Sequence, residues 1–309
     1  MPKNQLNIVV LVKQVPDTKN ITAEAMKADG TVNRGALPAI FNPEDLNALE
    51  MALETKERFG GTVTVITMGP PRAVEILRES LYRGADNCIL ITDRRFAGAD
   101  TLATSYVLAQ AIHKIKSVDL IYCGRQAIDG DTAQIGPQVA EKISFNQITY
   151  VDNVEEIANR TITVKRAMGR STETIATKLP LLMTVSSSAN SPRSIGAKYY
   201  MKYKKAKIVG EIKYAISSKH SQDQPSPDNV ESEIQNKIAT LKKQGLFIET
   251  WSADDLDADP DQIGLIGSPT KVKAVKSVTL TATDVKTVEP TLNGSHELMH
   301  ELIADNTFG

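Results

Sequence analysis

The chain has 309 residues, 41% hydrophobic and 24% charged, with a formal net charge of -1. That length buries one sizeable core without disulfide staples, and a charge near zero gives no electrostatic ground for nucleic-acid binding. The only cysteines, Cys88 and Cys123, both lie in apolar runs, which suits reduced core thiols and a cytoplasmic setting better than a secreted disulfide framework. Met1 to Leu6 carries no export signal, and no apolar stretch reaches the roughly 20 residues of a membrane-spanning helix, so membrane insertion is not expected.

In chain order, Asn7 to Val12 is a continuous, β-branched apolar run, the pattern of a strand buried on both faces of a parallel sheet. Ala28-Asp29-Gly30-Thr31, within Met26 to Phe41, reads as the turn of an inserted hairpin. Asn42-Pro43-Glu44-Asp45 opens a helix that Phe59-Gly60-Gly61 closes. Further strands are expected at Thr62 to Met68, Asn87 to Thr92 and Asp119 to Cys123. Helices are expected over Pro71 to Arg83, from Asp100-Thr101 onward, and over Gln134 to Ile143, where Pro137 belongs in the first turn. The alternation defines an α/β protein with an open parallel sheet.

Beyond residue 145 the pattern turns strand-like at Gln147 to Val151, Thr161 to Arg166, Glu173 to Thr177 and Leu181 to Val185, stretches that complete or flank the sheet. Ser217 to Asn229, with two prolines and almost no apolar content, reads as a flexible loop. Glu231 to Gln244 reads as a short helix, with Ile234, Ile238 and Leu241 on one face. From about Ser268 an extended arm is expected, ending in a helix over Ser295 to Ile303.

In such a sheet, ligands bind outside the carboxyl ends of the strands where the connections diverge, which singles out Lys13 to Thr18, Thr67 to Pro71, Asp93 to Thr104 and Gly124 to Gln138. The last of these leaves a strand and enters a helix with small residues and polar donors, Arg125 and Thr132 among them. That composition suits the phosphates of an adenine-containing cofactor, although an ordinary capped strand-to-helix loop has the same general form. Other chemistry has little support. His296 and His300 share a helix face but lack a third metal ligand nearby, and no dinucleotide Gly-x-Gly-x-x-Gly, P-loop or Gly-x-Ser-x-Gly motif is present.

Val10-Leu11-Val12-Lys13-Gln14-Val15-Pro16-Asp17, Phe41 to Asp45, Thr67-Met68-Gly69-Pro70 and Gly124 to Gln134 together resemble the β subunit of electron-transferring flavoproteins. The likeness covers roughly the first 205 residues and much of the C-terminal arm, and Asn190-Ser191-Pro192-Arg193 resembles the start of the family's partner-recognition loop. The resemblance implies a Rossmann-like sheet, a heterodimer with a larger α subunit, and an adenine-nucleotide site that holds AMP in most aerobic members and FAD in electron-bifurcating ones. The form Asp129 to Pro137, with Ala133 and Ile135 flanking Gln134, is similar to the bifurcating, anaerobe-type version, so FAD is expected and AMP is the alternative.

On that resemblance electrons pass from NADH to ferredoxin or flavodoxin and to an acyl-CoA or hydroxy-acid dehydrogenase, and the chain is an electron-transfer subunit rather than an enzyme alone. The residues implied around the cofactor are Leu11, Lys13, Asn42, Met68, Gly69, Asp100, Thr101, Thr104, Cys123, Gly124, Arg125, Gln126, Asp129, Gly130, Asp131, Thr132, Ala133 and Gln134, none acting as acid or base. A nucleotide-sensing or hydrolysing protein of the same fold is the remaining reading, and it lacks a visible catalytic base. Ser194 to Tyr200 departs from the family's usual recognition loop, and Lys207 to Gly245 looks inserted. The expected division is a nucleotide-binding domain over 1–205, an insertion over 206–245, and an arm over 246–309 that packs on the α subunit.

Overall fold

Alternate residues of Leu6–Leu11 (β1) serve two separate cores: Ile8 and Val10 point into one apolar cluster, Val9 and Leu11 into the other. A strand apolar on both faces must sit inside a sheet covered on both sides. The computed structural model, which describes residues 5–17, 37–219, 227–270 and 287–304, has that arrangement. The chain divides into two compact units, residues 1–273 and 274–309.

After β1 come Gln14–Pro16 (β2) and Ala39–Phe41 (β3), which pair antiparallel with each other. The turn expected at Ala28 to Thr31 lies outside the described residues. Pro43–Phe59 (α1) leads to Gly61–Met68 (β4), Val74–Arg83 (α2), Asn87–Ile91 (β5), Thr101–Ile115 (α3), Leu120–Gly124 (β6) and Ile135–Lys142 (α4). The expected helix over Pro71 to Arg83 opens with a 3-10 turn, Pro71–Ala73, before α2 begins. Asn146–Ala158 (β7), Thr161–Met168 (β8), Ser171–Lys178 (β9) and Leu181–Val185 (β10) follow.

With a short edge strand, Glu249–Trp251 (β11), the sheet has nine strands in the order β11-β5-β4-β1-β6-β10-β7-β8-β9. It is parallel from β11 to β7 and antiparallel across β7, β8 and β9. The chain runs outward from β1 through β4 to β5, then returns across α3 to place β6 on the other side of β1. The connections therefore diverge between β1 and β6, where an open crevice forms at the strands' carboxyl ends. Residues of α1 and α2 line one core cluster, and residues of α3 and α4 line the other.

Ala197–Tyr203 (α5), Val209–Lys219 (α6), β11 and β2, which falls in the loop expected over Lys13 to Thr18, were not expected on sequence. The segment expected to be a flexible loop is largely helical where described, because Ser217 to Lys219 finish α6 and Pro227 to Asn229 open Pro227–Lys243 (α7). A proline at the first helical position is the signal that was overlooked, since the missing N–H costs nothing there. Ile212 and Ile216 of α6 pack with Ile234 and Leu241 of α7 in a small core of their own.

This helical pair is an excursion that leaves and returns at one point. The Lys207 N–H donates to the Leu246 carbonyl at 3.0 Å, and the Ile248 N–H donates to the Lys207 carbonyl at 3.0 Å. Arg78 of α2 fastens it, with Nε donating to the Ala206 carbonyl at 3.0 Å and Nη2 to both carboxylate oxygens of Glu211 at 2.5 and 2.6 Å. In the C-terminal unit, Leu292–Ala304 (α8) contains the helix expected over Ser295 to Ile303, and Thr291 Oγ1 accepts from the Gly294 N–H.

Replacing Arg78 with alanine leaves the Ala206 carbonyl without this donor and Glu211 with only the Ile208 amide. Because the Glu211 side chain keeps 35% of its surface in water, the expected loss is about 2 kcal/mol rather than the larger cost of breaking a fully buried pair. Chemical denaturation of Arg78→Ala against the parent measures it.

Candidate functional site

The first turn of α1 carries three acceptors, Asn42, Glu44 and Asp45, placed beside the loop that follows β6. The loop's alternate amides donate to them in order. Gly124 N–H reaches Asp45 Oδ1 at 3.0 Å, Gln126 N–H reaches Glu44 Oε2 at 2.9 Å, and Ile128 N–H reaches Asn42 Oδ1 at 3.1 Å. Asn42 Nδ2 returns a bond to the Gln126 carbonyl at 2.9 Å, and the Arg125 amide donates to the Val185 carbonyl of β10 at 3.1 Å. Every second amide from 124 to 128 is thus spent on α1.

Asp45 is the hinge of this arrangement. Its Oδ2 accepts from the Lys13 amide at 2.8 Å while Oδ1 accepts from Gly124, so one carboxylate ties the end of β1 to the end of β6 across the crevice. A Cβ on Gly124 would lie 2.5 Å from Asp45 Oδ1 and 2.7 Å from the Glu44 carbonyl carbon, so only glycine permits this approach. Burial pushes the Asp45 carboxyl up to about 7, against the pull of the Lys13 and Gly124 amides, the Asn42 side chain and the Lys13 charge.

The loop's far side is held by side chains. Lys13 Nζ bridges Asp129 at 2.7 Å, with both side chains partly in water. Gln126 Nε2 donates to Asp131 Oδ1 at 2.9 Å, and the amides of Gly130 and Asp131 both turn back to the Ala127 carbonyl. Asp131 and Ala133 then adopt left-handed backbone, φ 50° and 53°. For a non-glycine residue that conformation costs about 1 kcal/mol or more and concentrates at functional sites. Beyond the turn, the amides of Thr132, Ala133 and Gln134 have no acceptor among the described residues. They stand at the start of α4, where helix geometry favours an anion.

The neighbouring helix joins in. Thr101 Oγ1 donates to Gln134 Oε1 at 2.8 Å, and Ser105 Oγ donates to Gln138 Oε1 at 3.1 Å. Asp100 caps α3, accepting from Leu102 and Ala103, and also accepts from the Thr270 amide, while its own amide donates to Ser268 Oγ. Burial acts to raise the Asp100 carboxyl, but the amides of Ala103, Thr270 and Leu102 outweigh it and the net shift is downward. Ser268 to Thr270, assigned to the arm on sequence, therefore touch this site.

The structure brings Lys13, Asn42, Gly124 to Gln134 and Thr101 into one bonded group. Leu11 and Cys123 end their strands with side chains in the core, so they face the site only through their backbones. The Cys123 thiol is pushed up by burial, and a Cβ on Gly136 would come 2.9 Å from its sulfur, which is why α4 begins with a glycine against the sheet. Met68 and Gly69 end β4, and Thr104 sits one turn into α3 with its hydroxyl unbonded among the described residues.

Three expectations change. Arg125 is not a spare phosphate donor, since its guanidinium pairs with Glu44 at 2.8 Å and that bond holds its proton more firmly than usual. Ile135 packs against the core cluster of α3 and α4, so its apolar character answers to packing. Asn42 spends its side chain on the loop backbone rather than facing outward. Glu44 and Asp45 were missed. Two acids in a helix's first turn read as ordinary dipole partners, and nothing local announces that they also bind a loop about 80 residues away.

The fold is a Rossmann-like, mostly parallel sheet with helices on both faces and a loop held by α1 at its reversal point. The electron transfer flavoprotein domain family matches residues 29–210, more than half of the chain. The electron transfer flavoprotein subunit beta of Clostridium acetobutylicum is 41% identical over 268 residues, 87% of this chain and 86% of that one. The caffeyl-CoA reductase-Etf complex subunit CarD of Acetobacterium woodii is 40% identical over 268 residues, 86% of each chain. The acryloyl-CoA reductase electron transfer subunit gamma of Anaerotignum propionicum is 46% identical over 191 residues, 61% of this chain and 70% of that one. The chain belongs to the electron transfer flavoprotein family, as a β subunit with a role in electron transfer. Among the described residues, no group of three metal-binding side chains and no helix long and apolar enough to cross a membrane occurs.

The Asp45 carboxyl fixes a pH dependence. Between its ordinary value of 3.8 and about 7 the folded chain holds a proton that the unfolded chain has lost. Its stabilising contribution is complete below the ordinary value and disappears as pH rises through about 7. Denaturation at pH 5 to 7 should show stability falling by up to about 1.4 kcal/mol per pH unit from this group, a slope absent in Asp45→Asn.

Proposed function

We propose that this β subunit binds FAD at the crevice between β1 and β6 and serves electron bifurcation, with an electron-transferring flavoprotein α subunit as its heterodimer partner. The observation that carries the reading is the loop itself. The amides of Gly124, Gln126 and Ile128 are consumed by α1, that of Arg125 by β10 and those of Gly130 and Asp131 by the Ala127 carbonyl, while those of Thr132, Ala133 and Gln134, without an acceptor among the described residues, stand at the start of α4 for an anionic group. Lys13, paired with Asp129 and half exposed, stands at the same mouth, as does the partly exposed Arg125 paired with Glu44, and the hydroxyls of Thr101 and Thr104 stand across from them. These donors fit the phosphates of an adenine nucleotide, and the small Ala133 and Gly130 leave room beside them.

When bound, FAD supplies hydride acceptance from NADH and separation of the two electrons toward a low-potential and a high-potential acceptor. The chain's own residues bind and orient. Asn42, Glu44 and Asp45 hold the loop, Lys13 and the helix start attract the phosphates, and no side chain is assigned a proton transfer. The low-potential acceptor is taken to be ferredoxin or flavodoxin. The names of the relatives from Acetobacterium woodii and Anaerotignum propionicum, both subunits serving acyl-CoA-type reductases, support an acyl-CoA dehydrogenase or reductase, or a hydroxy-acid dehydrogenase, as the other.

The partner face is proposed at α5 and the segment before it. Arg193 pins that segment to α1 through Glu50 at 2.9 Å and Glu57 at 2.5 Å, Asn47 and Asn190 bond to each other's carbonyls, and Arg83 donates to the Arg193 carbonyl. The exposed Tyr199, Tyr200 and Met201 are presented among lysines. Residues 1–205 are read as the nucleotide-binding domain, 206–245 as an insertion, and 246–309 as an arm for the α subunit.

Structural AMP in the same site is the second reading, favoured by the same free amides, because they see only phosphate. Purification with the α subunit, followed by release of bound nucleotide, separates the two. Two FAD per heterodimer is the expected result, and one FAD with one AMP contradicts bifurcation. Reduction of the bound flavin by NADH is expected in the first case only.

A further inference from the structure

We propose that Asp45, which reaches no ligand group itself, is a positioning residue that sets the nucleotide loop in its binding shape before any nucleotide arrives, with Glu44 and Asn42 extending its grip. The proposal rests on the reading of the crevice as a nucleotide site. It goes beyond that reading by assigning the site's affinity to a carboxylate on a helix outside the loop.

Three observations lead there. The two carboxylate oxygens of Asp45 accept from the Lys13 and Gly124 amides at 2.8 and 3.0 Å, and these are the last backbone groups of the two strand ends between which the crevice opens. The grip then continues along the loop at every second amide, through Glu44 to Gln126 and Asn42 to Ile128. The loop's conformation is also one it would not hold unaided, with left-handed backbone at Asp131 and at Ala133. A loop ordered in advance spares binding the entropy of ordering it, and that saving appears directly as affinity. Both oxygens accept, and protonation makes the hydroxyl oxygen the weaker acceptor, so the neutral carboxyl holds one of the two strand ends less firmly. Burial places that protonation near neutral pH.

The charged and titratable groups around Asp45 come from each element packed on it. They are Glu44 on α1, beside the neutral Asn42 amide that bonds Asp45, the Lys13 ammonium after β1, which is itself paired with Asp129, and the Cys123 thiol near the end of β6, which burial and the Asp45 charge both keep protonated. Burial pushes the Asp45 carboxyl of this set up to about 7.

The test uses the full chain and FAD as the probe, whose diphosphate keeps the same charge between pH 6 and 8, unlike the secondary phosphate of AMP, which titrates near 6. Equilibrium binding of FAD to the parent should tighten by up to about tenfold from pH 6 to pH 8 as Asp45 ionises. Asp45→Asn keeps one acceptor and turns an N–H₂ toward the other amide, so its affinity should be weaker by about tenfold or more and level across the same range. Circular dichroism reports whether the variant is folded; if it is not, the parent's pH profile decides alone. A level parent profile, or a folded Asp45→Asn that binds FAD as the parent does, overturns the positioning role and leaves the nucleotide reading in place. A parent that binds neither FAD nor AMP overturns both.

Discussion

The bond pair from the Asp45 carboxylate to the Lys13 and Gly124 amides is the constraint on which the site depends. A parallel sheet whose connections reverse at β1 and β6 leaves a gap at the carboxyl ends of those strands, and their last amides have no ladder partner there. Burying a carboxylate between them is costly, as the upward shift of its proton affinity shows, and two amide bonds offset only part of that cost. The structure accepts this penalty at a position where an apolar side chain would leave two strand ends unsatisfied.

From that point the rest of the site follows in sequence. Because Asp45 holds Gly124 against α1, the loop must run along the helix's first turn, and Glu44 and Asn42 take its next alternate amides. Past these amides the loop turns on the Ala127 carbonyl, and the amides of Thr132, Ala133 and Gln134, without an acceptor among the described residues, come where α4 begins. Gly136 lets that helix start lie directly on Cys123 and Thr184. The loop is a bracket fixed at one end by α1 and at the other by the sheet.

Much of this architecture was legible in the residues. The continuous apolar runs located β1, β4, β5 and β6, and Asn42-Pro43, Asp100-Thr101 and Pro137 located the starts of α1, α3 and α4, because burial on both faces and unpaired amides at helix ends leave local marks. What local pattern does not carry is partnership at a distance. Arg125 looks like a free cation until Glu44 is placed beside it, and Ile135 looks like a ligand contact until its core is seen. The helix α6, which pairs with the expected α7, escaped for a different reason. Its small core is built from few apolar residues, and its anchor, Arg78 to Glu211, joins positions 133 residues apart.

Amide hydrogen exchange along residues 124–134, with and without nucleotide, tests the central claim most directly. If α1 shapes the loop, the amides of Gly124, Gln126 and Ile128 are protected in the free chain, and those of Thr132, Ala133 and Gln134 exchange freely until nucleotide is added. Uniformly fast exchange across the loop in the free chain, with protection of all of it arriving only with the nucleotide, would contradict the account.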